Sequence, residues 1–172
     1  MHNLNSYQLK HHAAIGSIVV NWTHLENQVQ SILWRITGLD YRVGRCITQH
    51  MPFPALCDAI VTVAHESSTM THLVGDLKVL FSECDQLRSK RNDAVHAMWG
   101  IFLPPPGEPP GVLHADLGEV TGMIINARGR DPVKFKINKT TIDELGAISE
   151  NISMFRTRLM EFVEQHMPKH AP

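Results

Sequence analysis

Cysteine is scarce in this chain: three residues in 172, Cys46, Cys57 and Cys84, an odd number with no Cys-x-x-Cys pair. That excludes a disulfide framework and a cysteine-built zinc site, and predicts small apolar residues of a reducing compartment. Long apolar runs are missing too. No stretch approaches the length of a membrane span, and Met1 to Lys10 is polar with no apolar signal core. The expectation is a cytoplasmic protein with no membrane contact, in which the sequons at Asn21, Asn138 and Asn151 carry no sugar. An excess of either charge is absent as well, with 16 basic residues against 17 acidic ones. Without a global positive field the chain is not built to coat nucleic acid, although a local site for one phosphate stays open. No carboxylate or His/Cys cluster stands at ligand spacing, and His65-Glu66 lacks the second histidine of a zincin motif. No metal and no cofactor are expected.

What the chain does have is 43% hydrophobic residues, enough for the core of one domain spanning 1–172. Histidine is abundant, at eleven residues. His2, His11, His12, His166 and His170 lie near the ends and read as tail or surface residues.

The apolar spacing predicts helices. From about Gln8 to Thr37, Ile15, Ile18, Val19, Trp22, Leu25, Val29, Ile32, Leu33 and Ile36 recur in steps of three and four, with Gly38 as a stop. A second helix is expected from Pro54 to about Glu66, and Tyr41 to Met51 has room for a short one before it. The third is expected from about Met70 to Ile101, on the stripe Leu73, Leu77, Leu80, Phe81, Cys84, Leu87, Val95, Met98 and Trp99. Pro104, Pro105, Pro106, Pro109 and Pro110 then impose an extended connector. Val120 to Ile125 and Val133 to Ile137 are β-rich, with a turn at Gly129 to Pro132 and a further candidate strand at Val112 to Ala115. Thr141 and Glu144 have the spacing of a capping box opening the last helix, which Pro168 closes. The architecture expected is mainly α: a four-helix up-down bundle with a small β-hairpin, about 112–138, inserted between helices three and four.

One interruption carries the functional reading. Between Leu87 and Ala94 the third helix reads Arg88, Ser89, Lys90, Arg91, Asn92, Asp93, nearly two turns with nothing apolar. Residues four apart stack, so Arg88, Asn92 and His96 form one stripe, while Arg91 and His96 stand roughly 140° apart around the axis. An arginine arm can cover that angle, and a second copy of the helix in a homodimer would close it more directly. Arg45 and His50 have the same separation, so the setting of Arg91 and His96 distinguishes them, not the spacing. Chemically, a histidine titrating near neutrality can relay a proton, and a guanidinium fork can hold a phosphate.

The segment from Arg88 to Trp99, with Arg91, Asn92 and His96, resembles the signature helix of the HEPN superfamily, helical nucleotide-binding and RNase domains common in toxin–antitoxin and antiphage systems. Trp22-Thr-His-Leu25-Glu26 on the first helix is also similar to small bacterial members. The likeness is specific over about a dozen residues and does not reach the hairpin. It implies a homodimer that binds RNA or a nucleotide and cleaves RNA without a metal, with a possible cognate antitoxin as partner. Arg91, His96 and Asn92 would then be catalytic, Arg88 a second phosphate contact, and Glu26 a support for an arginine of the third helix. Alternatives stay open at this level. The bundle could be a non-catalytic dimeric interaction module, with Arg91 paired to Glu26 or Asp93 and His96 a core histidine, or a nucleotide binder without hydrolysis. The basic residues Arg128, Arg130, Lys134, Lys136 and Lys139 could guide RNA or simply solvate the hairpin.

Overall fold

The computed structural model describes residues 2–99, 119–126 and 134–167. The chain is mainly helical: α1 (His2–Thr37), α2 (Tyr41–Thr48), α3 (Phe53–Glu66), a 3-10 turn (Thr71–Leu73), α4 (Val74–His96) and α5 (Ile142–His166). Three strands, β1 (Met98–Trp99), β2 (Glu119–Asn126) and β3 (Lys134–Thr141), form an antiparallel sheet in that order. Two compact units emerge: Met1–Val20 with Ser89–Glu150, and Asn21–Arg88 with Asn151–Pro172.

In the second unit the core follows the apolar stripes. Trp22, Leu25, Val29 and Ile32 of α1 are buried, as are Leu56 and Ile60 of α3, Leu77 and Cys84 of α4, and Ile152, Leu159 and Val163 of α5. The Trp22 and Phe53 rings lie 4.9 Å apart, so α3 starts beside the middle of α1. At the far end of α1, Gly38 has φ +71° and the Leu39 amide reaches back to the Trp34 carbonyl at 3.0 Å. That left-handed glycine ends the helix and turns the chain. Asp40 then caps α2, its Oδ1 accepting from the amides of Arg42 (2.8 Å) and Val43 (3.1 Å). α2 lies against the Trp34 indole through Gly44, and the Trp34 Nε1–H donates to the buried Thr48 Oγ1 at 3.1 Å.

Strict up-down alternation would set the first and last long helices antiparallel. They are parallel instead. Near the C-terminal ends of both, Arg35 donates to Glu164 Oε1 at 2.5 Å and to the Met167 carbonyl at 3.2 Å. The cause is α2 with residues 49–52, which return the chain to Trp22 before α3 begins, so the next long helix does not start at the end of α1.

In the first unit Ser17 and Ser149 share a hydrogen bond of 2.8 Å between α1 and α5. The register of β2 and β3 runs from Glu119 opposite Thr141 to Asn126 opposite Lys134. The β-rich segments of the sequence fall in these two strands from Val120 and from Lys134. β3 runs straight into α5 through a reciprocal cap: the Glu144 amide donates to Thr141 Oγ1 (3.0 Å) and the Thr141 amide to Glu144 Oε2 (2.8 Å). That backbone hydrogen bond, with a second from Thr140 Oγ1, holds the Glu144 carboxyl below its usual range. The third helix is shorter than its apolar pattern predicts. It ends at His96, and Met98 and Trp99 pair with Met123 and Gly122. Edge pairing takes two residues whose spacing also suits a helix, because their backbone groups find partners in the sheet. The proline connector, Val112 to Ala115, the turn at Gly129 to Pro132, and Arg128 and Arg130 lie outside the described residues.

A Cβ at position 44 would fall 2.5 Å from Trp34 Cγ. Alanine ordinarily stabilises a helix by about 1 kcal/mol over glycine. Gly44→Ala should nonetheless lower the melting temperature, because overpacking costs about 1–3 kcal/mol. A thermal melt checks it; an unchanged or higher midpoint would show that the indole moves aside at no cost.

Candidate functional site at the end of α4

α4 carries all the candidate site residues except Glu26, which stands on α1. Its buried stripe, Leu77, Phe81, Cys84 and Leu87, stops at Leu87 and resumes only at Ala94. Between them Ser89, Lys90 and Asp93 are exposed, and Arg88, Arg91 and Asn92 are half-buried.

Arg91 Nη1 donates to Asn92 Oδ1 at 2.9 Å. Adjacent helical residues point about 100° apart, so this bond swings the guanidinium toward the side on which Asn92 and His96 stack. Asn92 therefore holds the arginine on that side. His96 is exposed on the last residue of α4. The core-histidine alternative is excluded by this exposure.

Arg88 is engaged elsewhere. Its Nε donates to Asp85 Oδ1 at 2.8 Å, and Nη2 stands 2.7 Å from the same oxygen. The spacing of three along a helix announces such a pair, and the sequence reading overlooked it. With side-chain exposures of 34% and 61%, the pair contributes only about 0–1 kcal/mol. A phosphate could displace it. Glu26 is half-buried on α1 and forms no hydrogen bond or ion pair among the described residues. Trp99 stands in β1, so it does not extend the helical motif. Among the described residues no three His, Cys, Asp or Glu side chains converge to hold a metal, and no helix is long and apolar enough to cross a membrane. Compared with family models, curated proteins and solved structures, the chain matches none.

His11 departs from its reading as a tail residue. It is buried at 7% exposure, one turn before Ile15 and two before Ile18 on the same stripe, a spacing that the sequence displays. Burial, and then the neighbouring His12 with its ring 5.9 Å away, lower its pKa from 6.5. Below pH 6.5 the unfolded chain therefore takes up this proton before the folded one. Stability should be full above pH 6.5 and fall as the pH drops toward the lower folded value. Urea midpoints between pH 7.5 and 5 measure this, and His11→Leu should flatten the decline. An equally steep decline in the variant would place the effect elsewhere.

Proposed function

We propose that the protein is a HEPN-like, homodimeric RNA-binding protein and a metal-independent endoribonuclease, its four long helices forming the bundle that presents α4. The supporting observation is the placement of an exposed His96 one turn from the hydrogen-bonded Arg91–Asn92 pair on one helix. In this reading Arg91 holds the scissile phosphate and stabilises the charge that develops on it. Asn92 positions Arg91. His96 transfers the proton as the ribose 2′-hydroxyl attacks phosphorus and the 5′-oxygen leaves, giving a 2′,3′-cyclic phosphate and a free 5′-hydroxyl. The second protomer would bring its own α4 alongside, and a cognate antitoxin would act by covering the same helix.

A second reading, a non-catalytic dimeric interaction module, is favoured by one observation: Arg88 already has Asp85 as its partner. The two separate cleanly. Incubated with single-stranded RNA in EDTA, the parent should produce cyclic-phosphate ends. His96→Ala should cut the rate by about 10²–10⁴-fold, the range for a general acid–base group. Because His96 is exposed, the melting temperature should hold within about 1 kcal/mol of stability. Asn92→Ala should weaken RNA binding by less than Arg91→Ala does. Absence of cleavage by the parent would leave the interaction module standing.

A further inference from the structure

α2 is eight residues long and unusually well fastened. Asp40 caps its first turn, and Gly44 and Thr48 seat it on Trp34. The Tyr41 ring meets the Trp34 ring edge-on at 5.5 Å. What these fastenings display is the opposite side. Val43 is 46% exposed and Ile47 53%, and the Cys46 thiol is open. At 100° per residue, Cys46, Val43 and Ile47 share an arc of about 100° facing away from Gly44 and Thr48. Arg42 borders that arc, and Arg45 lies about 60° further round on the same side. Single exposed apolar residues are ordinary; a rigid helix that presents three in one arc is not.

The charge of this face is uncompensated. Arg42 forms no ion pair among the described residues, and Arg45 reaches only the Tyr41 hydroxyl, at 2.9 Å. Asp40, the one nearby carboxylate in the segment, is turned into the helix cap. We propose that the outward face of α2 docks an acidic amphipathic segment of another protein. Apolar side chains of that segment would cover Val43, Cys46 and Ile47, and its carboxylates would pair with Arg42 and Arg45. Like charges disfavour α2 meeting α2 of a second copy. Two arginines and two aliphatic side chains also fall short of the basic cluster or acyl chain that holds a protein to lipid. The surface belongs wholly to the second unit and does not depend on the ribonuclease reading.

The test uses the whole chain and its cysteines. Cys46 is exposed while Cys57 and Cys84 are buried, so maleimide alkylation of the native protein footprints this face. Burial also pushes the Cys57 thiol up to about 12, which keeps it unreactive. Short random peptides displayed on phage are selected on the immobilised protein. The enriched peptides should combine Asp or Glu with apolar residues and slow Cys46 alkylation about tenfold when nine-tenths of the sites are filled. The protection should vanish in the Arg42→Glu, Arg45→Glu double variant, with its melting temperature retained; if that variant unfolds, the Gln, Gln double variant takes its place. Enriched peptides without acids, peptides that leave the Cys46 rate unchanged, or no enrichment would overturn the proposal. So would slowing produced by the protein's own concentration, or by phosphatidylserine vesicles, in place of acidic peptides.

Discussion

Between Gly44 and the face of the Trp34 indole there is space for a hydrogen atom and little else. That close approach lets α2 fold back along the end of α1, held by the Trp34–Thr48 hydrogen bond, instead of projecting from it. From there a few residues suffice to bring Phe53 against Trp22 and start α3 beside the middle of α1. The parallel course of α1 and α5 follows from this return, since simple alternation has already been lost before the third long helix begins. One missing methyl group thus permits the close seat of α2 on α1.

α4 shows how a helix can leave its core without ending. After Leu87 the apolar contacts lapse, and the helix continues on its own hydrogen bonds and on side-chain pairs at its surface. Arg88 goes to Asp85 and Arg91 to Asn92. At Arg88 a phosphate would replace a half-exposed ion pair with Asp85. That exchange costs little, because half-exposed charges keep most of their hydration.

Much of this was legible in the residues themselves. The stripes of α1, α3 and α5, the glycine stop at Gly38 and the Thr141–Glu144 cap are local devices, and local devices can be read from spacing. Other features depend on partners distant in sequence. Met98 and Trp99 fit a helical stripe, and only the β2 backbone opposite them decides for a strand. The direction of α5 depends on a return of the chain completed about ninety residues earlier. Burial of His11 was legible but was discounted because the residue lies near the chain's start, where proximity to an end proved a poorer guide than position on the stripe. Of the candidate site, the helix and the residues in it were visible. The Arg91–Asn92 bond was not, because a flexible arginine has several partners within reach and spacing alone cannot rank them.

The junction between β3 and α5 has no spare residue. Thr141 closes the strand pairing opposite Glu119 and, in the same position, caps the helix through Glu144. Insertion of one amino acid after the cap would therefore have nowhere to be absorbed. It would turn the helix by about 100° about its axis, carrying Leu145, Ile152 and Leu159 out of the interior together. At this joint strand register and helix phase must change in step.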